Sequence, residues 1–143
     1  MMKEDYLISI NGTIQQEDGE TDSMQLLTHG GFAYRNGSFF ITYKESEATG
    51  YEGSTTTVKV EKDSKVSMTR FGRAHSQLVI ERGKRHVCHY ESGYGSLSLG
   101  VAADEIENKL DANGGEVTFS YTLDTGSNTL SYNCVKIKIQ EKN

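Results

Sequence analysis

At 143 residues, with 24% charged and 35% hydrophobic side chains and a net charge of −5, the chain fits a single domain, residues 1–143, able to bury a core without disulfide or metal support. No window approaches the roughly 18 apolar residues of a membrane-spanning helix, and MMKEDYLISI is acidic and amphipathic where a signal peptide is basic and then apolar. A cytoplasmic protein with no membrane partner is therefore expected.

In chain order, Tyr6, Ile8 and Ile10 alternate with polar or outward positions, predicting a first strand that runs toward Ile14. The polar QQEDGETD is a loop. Met24, Leu26, Thr28, Gly30, Phe32 and Tyr34 share parity over a long second strand, and Arg35-Asn36-Gly37-Ser38 then supplies the two positive-φ residues of a type I′ hairpin turn. That turn pairs Tyr34 with Phe39, Phe32 with Ile41 and Gly30 with Tyr43. One face thus collects Phe32, Tyr34, Phe39, Ile41 and Tyr43, and Gly30 leaves room for the Tyr43 ring over bare backbone.

ESEATGYEG is a lengthy polar connection to the next hairpin. There Lys62-Asp63-Ser64 can act as a three-residue loop, pairing Glu61 with Lys65, Val60 with Val66, Val58 with Met68 and Thr56 with Arg70. Val58, Val60, Val66 and Met68 point inward, and Arg70 extends that face. A guanidinium on an apolar face needs a partner, and Glu45, two residues after inward Tyr43, has the parity to supply it. The other reading is a bulge at Phe71-Gly72 that turns Arg70 to solvent.

Ser76, Leu78 and Ile80 form a further strand, and Arg82-Gly83-Lys84 turns the chain into HVCHY. A three-residue loop there places Cys88 and Tyr90 inside. A two-residue loop places Val87 and His89 there instead; the first is favoured because it buries Tyr90. Leu97, Leu99 and Val101 alternate next, and ADEIENKLD reads either as a short helix, with Ile106 and Leu110 at i, i+4, or as the end of a long bent strand. Val117, Phe119, Tyr121 and Leu123 form another strand. In the last one Leu130 and Tyr132 stand at even positions but Val135, Ile137 and Ile139 at odd ones, predicting a bulge near Asn133 that keeps both sets inside.

The charge is uneven. Residues 59–91 carry eight basic and four acidic side chains, against three and nine in residues 1–58. Much of the basic set lies in turns, where solvated charge protects strand edges, and aromatics are not interleaved as a nucleic-acid stripe requires. No nucleic-acid partner is expected. His86, Cys88 and His89 form H-x-C-H, but a strand puts only His86 and Cys88 on one face, too few ligands for zinc. Cys88 and Cys134 read as free, partly buried thiols. No G-x-S-x-G elbow or phosphate-binding glycine loop at a helix start occurs, so the expectation is no enzyme and no cofactor.

About ten alternating strands without βαβ alternation, and with no proline among them, predict an all-β, antiparallel, closed or nearly closed barrel with at most one short helix. The order FFITYKE, GSTTTVKV, VSMTRFG, HSQLVIERGKR, HYESGYGSLSL and GGEVTFSYTL resembles the YwiB-like family of small uncharacterised bacterial proteins over nearly the whole chain. That resemblance implies a calycin-type, lipocalin-like barrel and no established activity. The positions that match the family are Tyr43, Glu45, Arg70, Gly72, Tyr90, Tyr94 and Gly95; Glu91-Ser92-Gly93 departs from the threonine and proline expected before the Tyr-Gly pair.

Two functions of different classes follow. A barrel of eight to ten strands can hold one small ligand, and a ligand-binding site at Arg70, Glu45, Tyr43 and Tyr90 would orient a polar or anionic group. The alternative is a filled barrel that acts through its outer surface, as a protein-protein interaction module or a homo-oligomer. A cavity facing Arg70 and Glu45 separates the two.

Overall fold

The alternation of the sequence becomes ten antiparallel strands in the computed structural model, which describes residues 6–73, 75–92 and 95–141. They are β1 (Tyr6–Gln16), β2 (Thr21–Arg35), β3 (Ser38–Lys44), β4 (Ser54–Glu61), β5 (Lys65–Gly72), β6 (Ser76–Glu81), β7 (Arg85–Ser92), β8 (Gly95–Asp111), β9 (Gly114–Asp124) and β10 (Thr129–Glu141). Each pairs with its neighbours in sequence, and β1 pairs with β10, so the meander closes on itself as a barrel. Closure leaves no free edge running the length of the sheet. A 3-10 turn at Glu47–Thr49 interrupts the β3–β4 connection.

Both hairpin turns form as expected. Asn36 and Gly37 take φ of 52° and 80°, and Arg35 pairs with Ser38, Tyr34 with Phe39 and Phe32 with Ile41. Glu61 pairs with Lys65, Val60 with Val66, Val58 with Met68 and Thr56 with Arg70. Tyr34, however, is 52% exposed: it has inward parity but stands near the end of its strand, with the Phe39 ring beside it at 4.7 Å. Gly30 is tight against backbone as well as side chain: a Cβ there would lie 2.3 Å from the Thr42 carbonyl oxygen and 2.6 Å from Ile8 Cδ1.

Two further corrections concern curvature. In β10 the register shifts earlier than expected, between Thr129 and Ser131, and runs unbroken from Ser131 to Ile139; it does not keep both sets inside, since Ser131 and Asn133 are buried and Leu130 and Tyr132 turned outward. The parity switch lies in β8. Its register with β9 shifts between Ala103 and Glu105, so that Leu99 and Val101 before the shift and Ile106 after it are all buried. Residues 103–110 are accordingly strand. Cys134 is also exposed, whereas Cys88 is buried.

The barrel has two ends. One carries the turns at 36–37, 62–64, 82–84 and 112–113, and is called the hairpin end; the other carries the connections 17–20, 45–53 and 125–128 and is called the Glu45 end. At the hairpin end, β8 runs on past the start of β7, since its last pair there is Ala102 with Arg85. Its exposed edge is covered by the β4–β5 turn. Asn108 N–H donates to Asp63 Oδ1 at 3.0 Å and its side-chain amide to the Lys62 carbonyl at 2.9 Å. Arg82 ties the same groups together, donating to the carbonyls of Asp63 and Ile106. Several basic residues of the middle meander are thus used as local ties, Arg85 with Asp124 among them.

Candidate functional site

At the Glu45 end three neighbouring strands turn polar side chains inward. Glu45 follows β3 by one residue, and its N–H donates to the Ser54 carbonyl at 2.9 Å. This carries the inward parity of Tyr43 one step beyond the strand. The Thr56–Arg70 register of the β4–β5 hairpin brings the guanidinium to the same place. Arg70 Nε and Nη2 donate to Glu45 Oε2 at 3.2 and 3.1 Å, and the Thr56 hydroxyl donates to the same oxygen at 2.5 Å. The Glu45 side chain is 1% exposed and that of Arg70 14%. Arg70 is therefore inward, and Gly72 marks a sharp bend after it rather than one that expels it.

Gly72 explains why the β3–β4 connection lies against the site. Its φ is 118°, and a Cβ there would sit 2.6 Å from the Gly53 carbonyl oxygen, a conformation and an approach open to glycine alone. Backbone contact at Gly53 brings Tyr51 over the barrel mouth. Its ring lies 3.6 Å from Arg70 Cζ, a cation–π contact with the guanidinium face. The edge of the guanidinium carries Glu45 and its face carries Tyr51. Nη1 extends toward Ser76 Oγ of β6 at 3.4 Å.

The two tyrosines that face this pair stay protonated. Burial is the main cause for both. At Tyr43 the Glu45 carboxylate adds to it and Arg70 opposes it, with the phenol raised well above its usual range. Tyr121 of β9 is pushed up to about 12, again with Arg70 opposing. Both hydroxyls are hydrogen-bonding groups and not acids at neutral pH. Beside Tyr121, Asn133 Nδ2 donates to Ser131 Oγ at 3.1 Å and to the Tyr121 carbonyl at 3.4 Å. Among the described residues no buried side-chain nitrogen or oxygen lacks a partner.

The way in is the β6–β7 seam. The β4–β5 ladder joins Ser54–Gly72 through Glu61–Lys65 without a break, but among the described residues β6 and β7 meet only at Ser76–Tyr90 and, across the turn, at Glu81–Lys84. Between them the Val79 N–H donates to the Cys88 thiol at 3.4 Å, so a side chain stands where a backbone carbonyl belongs. An open cleft of about 520 Å³ results, lined from outside by Gln77, Val79 and Val87 and from inside by Arg70, Ser76 and Cys88.

Of the four residues expected to form the site, Glu45, Arg70 and Tyr43 come together. The backbone of Tyr90 pairs with Ser76, the register a three-residue turn gives, although at the tip Glu81 bridges Lys84 across Arg82 and Gly83; the Tyr90 side chain, like Tyr94, lies outside the described residues. Sequence reasoning missed Tyr51, Thr56, Ser76 and Tyr121. Thr56 and Tyr121 were visible as polar or phenolic members of inward apolar stripes, and Ser76 has the same parity as Leu78 and Ile80. Tyr51 lies in a connection without periodicity, and nothing local marks it. His86 and Cys88 do share a face, but His86 bonds Glu81 at 2.9 Å, and no group of three His, Cys, Asp or Glu side chains converges among the described residues.

Comparison with known proteins gives the same barrel. The family described as Domain of unknown function (DUF1934) matches residues 8–137. A crystal structure of the YwiB protein from Bacillus subtilis superimposes with a TM-score of 0.81 at 19% identity, covering 99% of this chain and 96% of that one. The expected resemblance to the YwiB-like family is borne out in these matches. A search of curated proteins returns no match to the chain. No helix among the described residues is long and apolar enough to cross a membrane.

Proposed function

We propose, from the premise that the chain belongs to the DUF1934 family, that it is a non-catalytic barrel of the bacterial cytoplasm, of calycin type, that binds a small molecule at Glu45, Arg70 and Tyr43. One observation carries this reading: Arg70 is tied to a buried carboxylate inside the barrel and at the same time lines an open cleft of about 520 Å³. That volume suits a small organic ligand. Apolar side chains of similar volume would fill the same place at no loss of stability, so an ion pair retained at an accessible mouth supports recognition. Tyr43 and Tyr121 stand buried behind the pair, and the apolar lining at Phe71, Val79 and Val87 beside Arg70 suits a ligand with an apolar body and a polar end.

Native mass spectrometry of the protein purified from its own host tests this. The comparison is with the double variant Glu45→Met/Arg70→Met, which removes the recognising groups without leaving a buried charge alone. The wild type is expected to retain a small molecule that the variant lacks. An unliganded wild type, or a ligand retained equally by the variant, sinks the reading.

A second reading, a filled barrel that meets another protein chain, draws on Leu27, 68% exposed on the outer face of β2. A stable dimer with no retained small molecule favours it.

A further inference from the structure

The walls of the β6–β7 cleft differ from the rest of the protein in charge. The chain has 20 acidic side chains and a net charge of −5, yet no carboxylate is among the side chains described along the cleft, of which Glu91 is not one. Three of the four histidines, His75, His86 and His89, do line it, beside Arg70. The acid of β6, Glu81, is turned to His86 at 2.9 Å and to Lys84 at 3.7 Å. Thr69, Ser76 and Gln77 add hydroxyl and amide donors. The remaining wall is apolar, with Phe71 and Val87 exposed by 47% and 67%.

An acidic protein repels small anions from most of its surface, so a cleft whose described side chains include no carboxylate and several N–H donors is where an anion is least opposed. Arg70 offers a planar guanidinium, held in one orientation by Glu45 at its edge and by Tyr51 on its face. With Nε and one N–H of Nη2 given to Glu45 and Nη1 extended toward Ser76, the outer Nη1/Nη2 edge is the fork left to meet the two oxygens of a carboxylate or phosphate. Its charge is shared with Glu45, which makes the site selective for anions that also use the imidazoles and the apolar wall. A bare inorganic ion meets only part of that requirement.

We infer that the β6–β7 cleft takes a small organic oxyanion, a carboxylate or phosphate carried on an apolar body, with the oxygens at Arg70 and the imidazoles of His75 and His89, and the body against Phe71 and Val87. The inference rests on the proposed ligand-binding reading and names the class of its ligand. It also gives the splayed ladder a use, since a complete set of backbone bonds between β6 and β7 would close the path from solvent to Arg70.

The test is a titration of the whole protein followed by backbone amide NMR. Benzoate and phenyl phosphate are the oxyanion probes, with benzamide and benzylamine as neutral and cationic counterparts. Both anions are expected to shift the amides of Gln77, Val79 and Val87 to saturation, and to bind at least about tenfold more tightly than benzamide or benzylamine. The double variant His75→Gln/His89→Gln, at two exposed positions, is expected to weaken anion binding several-fold and to leave benzamide unchanged. The better of the two anions identifies carboxylate or phosphate. Equal binding of benzamide or benzylamine at the same amides overturns the oxyanion class and leaves the cleft standing as a ligand site. Anion shifts confined to other strands, or no shift with any probe, overturn the inference itself, while native mass spectrometry decides the broader reading separately.

Discussion

The same three strands present opposite chemistry at the two ends of the barrel. On β4, β5 and β6 the inward residues toward the hairpin end are Val60, Val66 and Ile80, each 0% exposed. Four residues away along each strand, toward the Glu45 end, they are Thr56, Arg70 and Ser76. One end is closed by apolar contact and by the Lys62–Asp63 turn held to Asn108. At the other a carboxylate gathers three donor bonds on a single oxygen. Burial of aliphatic side chains stabilises by about 1.5–3 kcal/mol each, while an ion pair out of water roughly breaks even against its own desolvation. The hairpin end therefore accounts for stability, and the polar end needs another reason to persist.

The largest expected effect breaks the comparison at both ends. Glu45→Ala leaves the Arg70 guanidinium without its carboxylate and should cost about 3–5 kcal/mol; Ile80→Ala opens a cavity and should cost about 2–5 kcal/mol. Urea unfolding measures both. What separates the ends is rescue. Glu45→Met/Arg70→Met should recover most of the loss at the polar end because it removes both charges, and no second substitution at a polar residue should rescue Ile80→Ala. Failure of the double variant to recover stability would mean that the ion pair is structurally required.

How far these ends were legible in the sequence depends on which physical cue each residue offers. The hairpins were legible because turn chemistry at Asn36-Gly37 and side-chain parity agree independently on one register. Arg70 and Glu45 followed from that parity. Tyr34 did not, because parity says which face a residue takes and not where the barrel stops covering it. In β10 the rule that apolar means inward failed at the polar end, where Ser131 and Asn133 face in and Leu130 and Tyr132 face out. The register of β10 does shift, between Thr129 and Ser131, but the shift that keeps two apolar sets of opposite parity inside is the one between Val101 and Ile106 in β8. Tyr51 and the splayed β6–β7 seam arise from contacts between distant segments, and no local pattern records them.

A smaller effect sharpens the polar end by pH. The Tyr121 phenol has a folded pKa of about 12 against an ordinary value of 10.0, so the folded state holds its proton more tightly than the unfolded chain does. Its contribution is fully present below pH 10 and is lost as pH rises from there toward 12; Tyr43 acts in the same direction. Stability should fall across this window by on the order of 2 kcal/mol from Tyr121. Tyr121→Phe should flatten the fall, measured as melting temperature against pH. An equally steep fall in the variant would assign it to groups elsewhere.

The smallest effect lies at the sealed end and tests which end is the door. Asn108→Ala keeps the backbone N–H that reaches Asp63 but removes the side-chain bonds to the Lys62 carbonyl and from the Leu110 N–H. These groups are partly solvated, so the expected cost is about 1 kcal/mol. Amide exchange should quicken locally in the 62–64 turn and around residue 108, with the core strands unchanged. Ligand binding should be unaltered, because the Arg70 cleft opens between β6 and β7 and the 62–64 turn does not line it. A loss of binding in Asn108→Ala comparable to that in Glu45→Met/Arg70→Met would mean that the ligand enters past the hairpin turns. The polar end would then be the floor of the site and not its mouth.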